Sequence, residues 1–127
     1  MIAAVLAVKH HQYNVGSLSM SIELWRMKDE KGTRTVTAYK EDGCLRISGQ
    51  DLYPNKENIF NTSEYEYIYG FDCHNTERLF NLITDNGLSN EAALLSIFGG
   101  EHGCKNLTEF CEANEIKYEF YSHFDMD

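Results

Sequence analysis

The sequence lacks most features that mark linkers, membrane spans and secreted proteins. Its 127 residues contain one proline, Pro54, and no low-complexity tract, so we expect no disordered linker. The N-terminal apolar run at residues 2–8 is too short to cross a membrane, and it has neither a basic stretch before it nor an AxA-like cleavage site after it. We therefore expect one cytoplasmic domain over residues 1–127, in which residues 1–19 are either an extension or an extra strand.

The cysteines lack the regular spacing of a disulfide framework or a zinc site. They include no CxxC pair and lie at Cys44, Cys73, Cys104 and Cys111. We expect all four to be reduced thiols, as is usual in the cytosol. Two of them have histidines nearby, in Cys73-His74 and His102-x-Cys104, so a small enzyme that uses a Cys/His cluster is one alternative.

Motifs that build catalytic or cofactor sites are also missing. The sequence contains no GxSxG, no HExxH and no Gly-rich phosphate loop. Acidic residues are so numerous in the second half that no pair of carboxylates stands out for acid–base work. We therefore expect no catalytic residue, no metal and no cofactor, and we predict that the chain is not an enzyme.

Cations are scarce in the second half of the chain. Residues 1–56 carry eight Lys or Arg against six Asp or Glu, whereas residues 57–127 carry three against fourteen, a net charge of −11. Such a surface repels nucleic acid and anionic lipid and attracts basic partners. The alternative is that the acidity serves only solubility.

Two periodicities divide the chain into strands and helices. Alternating apolar and polar residues predict strands at residues 21–27, 33–39, 44–52, 64–71 and 116–121, and Asp42-Gly43 predicts a tight turn. Helical spacing predicts a helix capped by Asp72 with the stripe Leu79, Leu82 and Ile83, and further helices at residues 90–98 and 107–114. The last of these has Asn106 and Glu109 as a candidate capping box. This order predicts an α+β fold, a mainly antiparallel sheet of about five strands with two to three helices packed on one face.

The segment at residues 64–71 is the most distinctive feature. Alternation places Tyr65 and Tyr67 on one face of the strand and Glu64 and Glu66 on the other, which we expect to be the solvent face. The tyrosine face is either the core beneath the helices, which we favour, or a recognition surface, since tyrosine offers a large contact area at low entropic cost.

Two stretches carry a resemblance to a known family. Residues 43–52 are GCLRISGQDL and residues 64–71 are EYEYIYGF, and within the first stretch Gly49 is expected to mark a bulge or a close backbone approach. Together with KYEFY at residues 117–121, they resemble immunity proteins of bacterial polymorphic-toxin and contact-dependent growth-inhibition systems. The resemblance covers roughly residues 21–121 and implies a cytosolic inhibitor that sequesters one cognate toxin domain, often a basic nuclease.

The expected partner is therefore a protein with a basic surface, and neither nucleic acid nor a membrane. The residues predicted to contact it are Glu64, Glu66, Asp72, Tyr65, Tyr67 and Glu77. A non-catalytic acidic scaffold or regulatory module is the other alternative to the immunity function.

Overall fold

The computed structural model describes residues 18–54, 57 and 62–125, which form a five-stranded antiparallel sheet and three helices. The elements in chain order are β1 (Leu18–Asp29), β2 (Gly32–Glu41), β3 (Cys44–Pro54), β4 (Thr62–Gly70), α1 (Cys73–Ile83), α2 (Asn90–Phe98), α3 (Gly103–Asn114) and β5 (Glu119–Asp125). The strand order in the sheet is β1-β2-β3-β4-β5, so each strand pairs with its neighbours in sequence. The predicted α+β class is confirmed. The predicted extension covers residues 1–19, of which residues 1–17 lie outside the described residues.

The turn between β2 and β3 is the predicted one. Asp42 has φ 53° and Gly43 has φ 79°. Positive φ at both central residues is what a type I′ turn requires, and its twist matches that of the flanking strands. Asp42-Gly43 thus sets the register in which Glu41 pairs with Cys44.

The register defines what lies on each side of the sheet. Tyr65, Tyr67 and Tyr69 of β4 pair with Asp51, Gly49 and Ile47 of β3 on one side, and with Phe124, Ser122 and Phe120 of β5 on the other. Directly paired residues point to the same face, so all nine lie on one face of the sheet. This is the face on which the helices pack, and we call it the helix face.

The hydrophobic core lies between this face and the helices. The sheet supplies Leu24, Val36, Ala38, Leu45 and Ile47, while the helices and their connections supply Phe71, Leu79, Phe80, Ile83, Ala93, Leu94, Phe98, Leu107, Cys111 and Ile116. Leu82, which the sequence pattern placed in the stripe of the first helix, is exposed instead. Phe80 takes its place among the buried residues of α1.

A tyrosine ring fills the space above Gly49, so the expected close approach is confirmed. A Cβ atom built on Gly49 would lie 2.0 Å from Cζ of Tyr67. The approach is therefore between a ring and the backbone of the paired strand. Only glycine leaves room for the ring to lie flat at this position.

The helix starts agree with the sequence in two cases and differ in the third. Asp72 caps α1 through a bond from the Asn75 backbone N–H to its carboxylate, and Ser89 caps α2 in the same way through Ala92. Helix α3 begins at Gly103, four residues before the predicted start, and Asn106 lies inside its first turn. The predicted capping box is therefore wrong, because the glycine was interpreted as part of a loop.

The last strand begins later than predicted. Glu115 adopts the left-handed conformation, with φ 54°, and the Ile116 N–H donates to the Cys111 carbonyl, which ends α3. Ile116 then fills the core before β5 starts at Glu119. The guanidinium of Arg78 donates to the carbonyls of Asn114 and Glu115 at 2.8 and 2.7 Å and fixes this corner to α1.

None of the helices in the part of the chain that the structure describes has both the length and the apolar character needed to cross a membrane.

Candidate protein-binding surface

The predicted contact residues lie in three separate places, on the two faces of β4 and at the start of α1. Tyr65 and Tyr67 lie on the helix face, and Glu64 lies with Glu66 on the opposite face of β4. Asp72 and Glu77 lie beyond the end of β4, at the cap and in the first turns of α1. The six residues therefore do not form one continuous surface.

The expectation that Glu64 and Glu66 face solvent is wrong. Glu66 is only 2% exposed, and Glu64 is half-buried with a carboxylate oxygen that accepts a hydrogen bond from Gln50. The same face buries a small cluster in which Tyr39 and Ile68 pack with Tyr121. Alternation predicts which residues share a face but not how deeply that face is buried.

Asp72 is exposed and has a structural role. Its Oδ1 accepts from the Asn75 backbone N–H at 2.8 Å and from the Asn75 side-chain amide at 3.1 Å. These bonds, the backbone bond first, lower the pKa of Asp72 below its usual value. Glu77 is exposed and lines a cleft with Lys40 and Cys73. Both carboxylates remain accessible, at a distance from the tyrosines along the sheet.

Tyr67 and Tyr69 belong to the covered part of the helix face. The Tyr67 hydroxyl lies 3.9 Å from Sγ of Cys104, in the first turn of α3. Burial is the main cause that raises the pKa of Tyr67, and burial raises the pKa of Tyr69 to about 12. Both phenols are therefore neutral at physiological pH and act as core residues with their hydroxyls at its rim.

Tyr65, Tyr67, Tyr69 and Phe71 form a row along β4, which we call the aromatic row. At Tyr65 this row is no longer covered by α3. Tyr65 packs edge-on against Phe124 with ring centroids 6.1 Å apart, and Tyr53 packs against the same ring at 6.5 Å. Phe124 is 49% exposed. Phe120, which lies beside Tyr69 on the same face of the edge strand, is 47% exposed. We call Tyr53, Tyr65, Phe120 and Phe124 the aromatic patch.

The two phenylalanines of the patch were not predicted as contact residues. The predicted strand ended at Tyr121, and Phe120 was assigned to the same face as Ile116 and Tyr118. The signal was present in the spacing of Phe120, Ser122 and Phe124, which continues the alternation for two more steps. The assigned face is the helix face, but the helices do not reach its end.

Polar groups border the aromatic patch on the β3 side. The Tyr53 hydroxyl donates to Oδ2 of Asp51 at 3.1 Å. Burial, followed by the Asp51 carboxylate, raises the pKa of Tyr53. Arg34 pairs with Asp51 in the β2–β3 register and therefore lies beside it on the same face. This border offers one carboxylate and one guanidinium next to two phenols.

Helix α3 and strand β5 are acidic. Glu112 is exposed on α3, where it lines a shallow depression with Glu109 and Ala113. Glu119 is exposed at the start of β5, on the face opposite the helices. Residues 103–125 carry five carboxylates against two lysines. Among the described strands, β5 pairs on one side only, so Phe120 and Phe124 lie at the edge of the sheet.

The structure does not bring the two Cys/His pairs together. Within the described ranges, no group of three or more His, Cys, Asp or Glu side chains is arranged to hold a metal ion. Cys73 instead lies 3.3 Å from Cys44, sulfur to sulfur. A separate cleft of about 300 Å³ on the face opposite the helices is lined by Arg46, Glu119 and Tyr121. Arg46 also donates to the Phe71 carbonyl at 3.1 Å.

Comparison with known proteins finds a partial similarity to a kinase. No family model matches the chain, and no solved structure matches it. Inositol polyphosphate multikinase alpha of Arabidopsis thaliana is 32% identical over 108 residues, which cover 76% of this chain and 35% of that protein. The chain thus spans about a third of the length of the curated relative that it matches.

This similarity corrects one prediction. The chain was predicted not to be an enzyme because catalytic motifs are missing from the sequence. The relative it matches is a kinase, so the finding contradicts that prediction. Missing motifs exclude only the sites that those motifs describe, and an active site assembled from scattered residues leaves no such pattern.

Proposed function

We propose that the chain is a bacterial immunity protein, acting in the cytoplasm, that binds a cognate toxin domain and covers a basic active or substrate-binding site. The observation that carries the proposal is the aromatic patch, which holds two half-exposed phenylalanines of the edge strand β5. Phe124 packs on Tyr53 and Tyr65, and Phe120 packs on Tyr69 with ring centroids 4.9 Å apart. Large aromatic side chains at the centre of an interface supply most of its binding energy. The resemblance of residues 43–52 and 64–71 to immunity proteins supports the same function.

Charge supports a basic partner. The net charge of the chain is −9, and the elements next to the patch are acidic. Opposite charges around an apolar centre accelerate encounter and disfavour wrong partners more than they raise affinity. A toxin that binds nucleic acid presents cations around its active site, which is the surface that such a patch complements.

The geometry changes the predicted docking residues. Tyr65 stays, joined by Tyr53, Phe120 and Phe124. Tyr67 contributes from the covered side, because it supports the ring of Tyr65 at 5.6 Å. Glu66 is too deeply buried to contact a partner surface in this conformation.

Co-expression with the toxin domain encoded by the neighbouring gene tests the function. The chain is expected to co-purify with that domain and to protect cells that express it. The variant Phe120→Ala/Phe124→Ala is expected to lose protection, while the control Leu82→Ala/Leu95→Ala, which removes equally exposed side chains from the helices, is expected to retain it. Protection that is absent in the wild type, or equal in both variants, would contradict the proposal.

Phosphoryl transfer to an inositol polyphosphate is a second candidate, favoured by the similarity to the Arabidopsis kinase. A polyanionic substrate needs cations, and on the face opposite the helices the cleft around Arg46 offers one beside the Tyr121 phenol. The test is incubation of the purified chain with Mg-ATP and an inositol polyphosphate. Product formation that disappears in Arg46→Ala would support this candidate, and no turnover above a protein-free control would eliminate it.

A further inference from the structure

Two cysteines from distant parts of the sequence meet at one corner of the fold. Cys44 is the first residue of β3 and Cys73 is the first residue of α1. Their sulfur atoms are 3.3 Å apart, in the geometry of a thiol–thiol hydrogen bond. A disulfide bond needs about 2.05 Å between the sulfurs, so a side-chain movement of little more than 1 Å would close it.

Two hydrogen bonds next to the cysteines hold their backbone segments together. Next to Cys44, the Leu45 N–H donates to the buried Thr76 hydroxyl at 2.9 Å. The Phe71 N–H donates to the Leu45 carbonyl at 3.0 Å. These bonds tie the start of β3 to the start of α1, so the proximity of the sulfurs follows from the backbone of the fold.

The pair is open to small molecules. Cys73 is exposed and lines a cleft of about 430 Å³, while Cys44 is half-buried and lines the cleft around Arg46. The other two cysteines differ from this pair. Cys111 is buried and its burial raises its pKa to about 11, and Cys104 lies under Tyr67 with a pKa raised by the same cause.

We propose that Cys44 and Cys73 form a redox modification site that is closed to a disulfide by small-molecule disulfides and reopened by thiols. The thiolate of Cys73 attacks one sulfur of the small disulfide, forming a mixed disulfide and releasing one small thiol. The thiolate of Cys44 then attacks the Cys73 sulfur and releases the second small thiol. Two protein thiols are oxidised, one small disulfide is reduced to two thiols, and the two protons leave with them.

In the free protein Cys73 rests as a protonated thiol. The hydrogen bond between Cys73 and Cys44 is the first cause that raises the pKa of Cys73, followed by the charge of the Cys44 sulfur. Thiolate is therefore scarce at neutral pH, so exchange is slow unless the small disulfide is abundant. Cytosolic disulfides are typically transient and sense the redox state, which is the role that this corner fits. Closure would staple the β2–β3 turn to α1 without involving the aromatic patch.

The test is oxidation of the full chain with 2-hydroxyethyl disulfide, an uncharged reagent. The expected result is the loss of two of the four thiols and a peptide map that joins Cys44 to Cys73, both reversed by dithiothreitol. Cys44→Ser should stop at a mixed disulfide on Cys73, and Cys104→Ser should close like the wild type. The Tm of the oxidised chain should rise, because the bond restricts the unfolded state.

Three results would overturn the proposal. The first is a chain that keeps four free thiols after prolonged exposure to the reagent. The second is a peptide map that joins other cysteines. The third is a lower Tm for the oxidised chain, because it would mean that the native corner must be broken to form the bond.

Discussion

The two ends of one aromatic row have different surroundings. At one end, Phe71 is 1% exposed beneath the helices. At the other end, Phe124 lies beyond the first turn of α3 and is half-exposed, although its ring also packs against tyrosines of the same sheet face. Periodicity and residue type are alike at both ends. What differs is the cover. The helices enclose Phe71, whereas Phe124 lies on the edge strand β5 and stays open, so the same alternation serves as core in one place and as candidate interface in the other.

The same substitution at the two ends is the strongest test of this contrast. Phe71→Ala is expected to lower the free energy of unfolding by about 3–5 kcal/mol, because it leaves a cavity in a closed core. Phe124→Ala is expected to cost about 1 kcal/mol or less, because solvent already reaches half of the ring. Urea unfolding of both variants measures the difference. Equal losses of stability would show that the two ends are not distinct.

The boundary between the two ends lies at Tyr67, whose ring covers Gly49. Gly49→Ala is expected to lower the free energy of unfolding by about 1–3 kcal/mol, because the new methyl group displaces the ring. In a Tyr67→Ala background the same change should cost much less. A double-mutant cycle measures the coupling. A coupling near zero would mean that the ring does not lie over Gly49 in solution.

A smaller effect is expected from the ionisation of Tyr69. Burial raises the pKa of Tyr69 to about 12, so its contribution to stability is complete below the unfolded pKa of about 10 and is lost as the pH rises towards 12. Tyr69→Phe removes this ionisation and should unfold less readily than the wild type as the pH is raised through that window. Denaturant unfolding at pH 8 and in that alkaline window provides the comparison. If the free energy of unfolding depends on pH in the same way in Tyr69→Phe and in the wild type, Tyr69 is not buried as described.

The sequence was informative where local chemistry determines structure. The Asp42-Gly43 turn, the Asp72 cap and the alternation of residues 64–71 each depend on a few adjacent residues, and the structure has all three. The wrong predictions concern long-range packing. Glu66 is buried because of what surrounds its face of the sheet, and no pattern within β4 reports that.

The candidate site was predictable only in part for the same reason. Tyr65 was selected from the strand pattern, whereas Phe124 became a candidate only when its exposure was known. Gly103 shows how the boundary was missed. Its hydrogen leaves room for the Phe98 backbone, where a Cβ atom would lie 1.9 Å from the carbonyl oxygen. The glycine that resembled a loop thus begins α3 and sets where the helical cover starts.

The central claim is that the aromatic patch binds the partner. Its most direct test is the Kd for the cognate toxin domain, measured by titration calorimetry for the wild type and the variant Phe120→Ala/Phe124→Ala. We expect the variant to bind at least about tenfold more weakly, the loss typical of truncating interface anchors, with a nearly unchanged Tm. A Kd equal to that of the wild type, in a variant that remains folded, would contradict the claim.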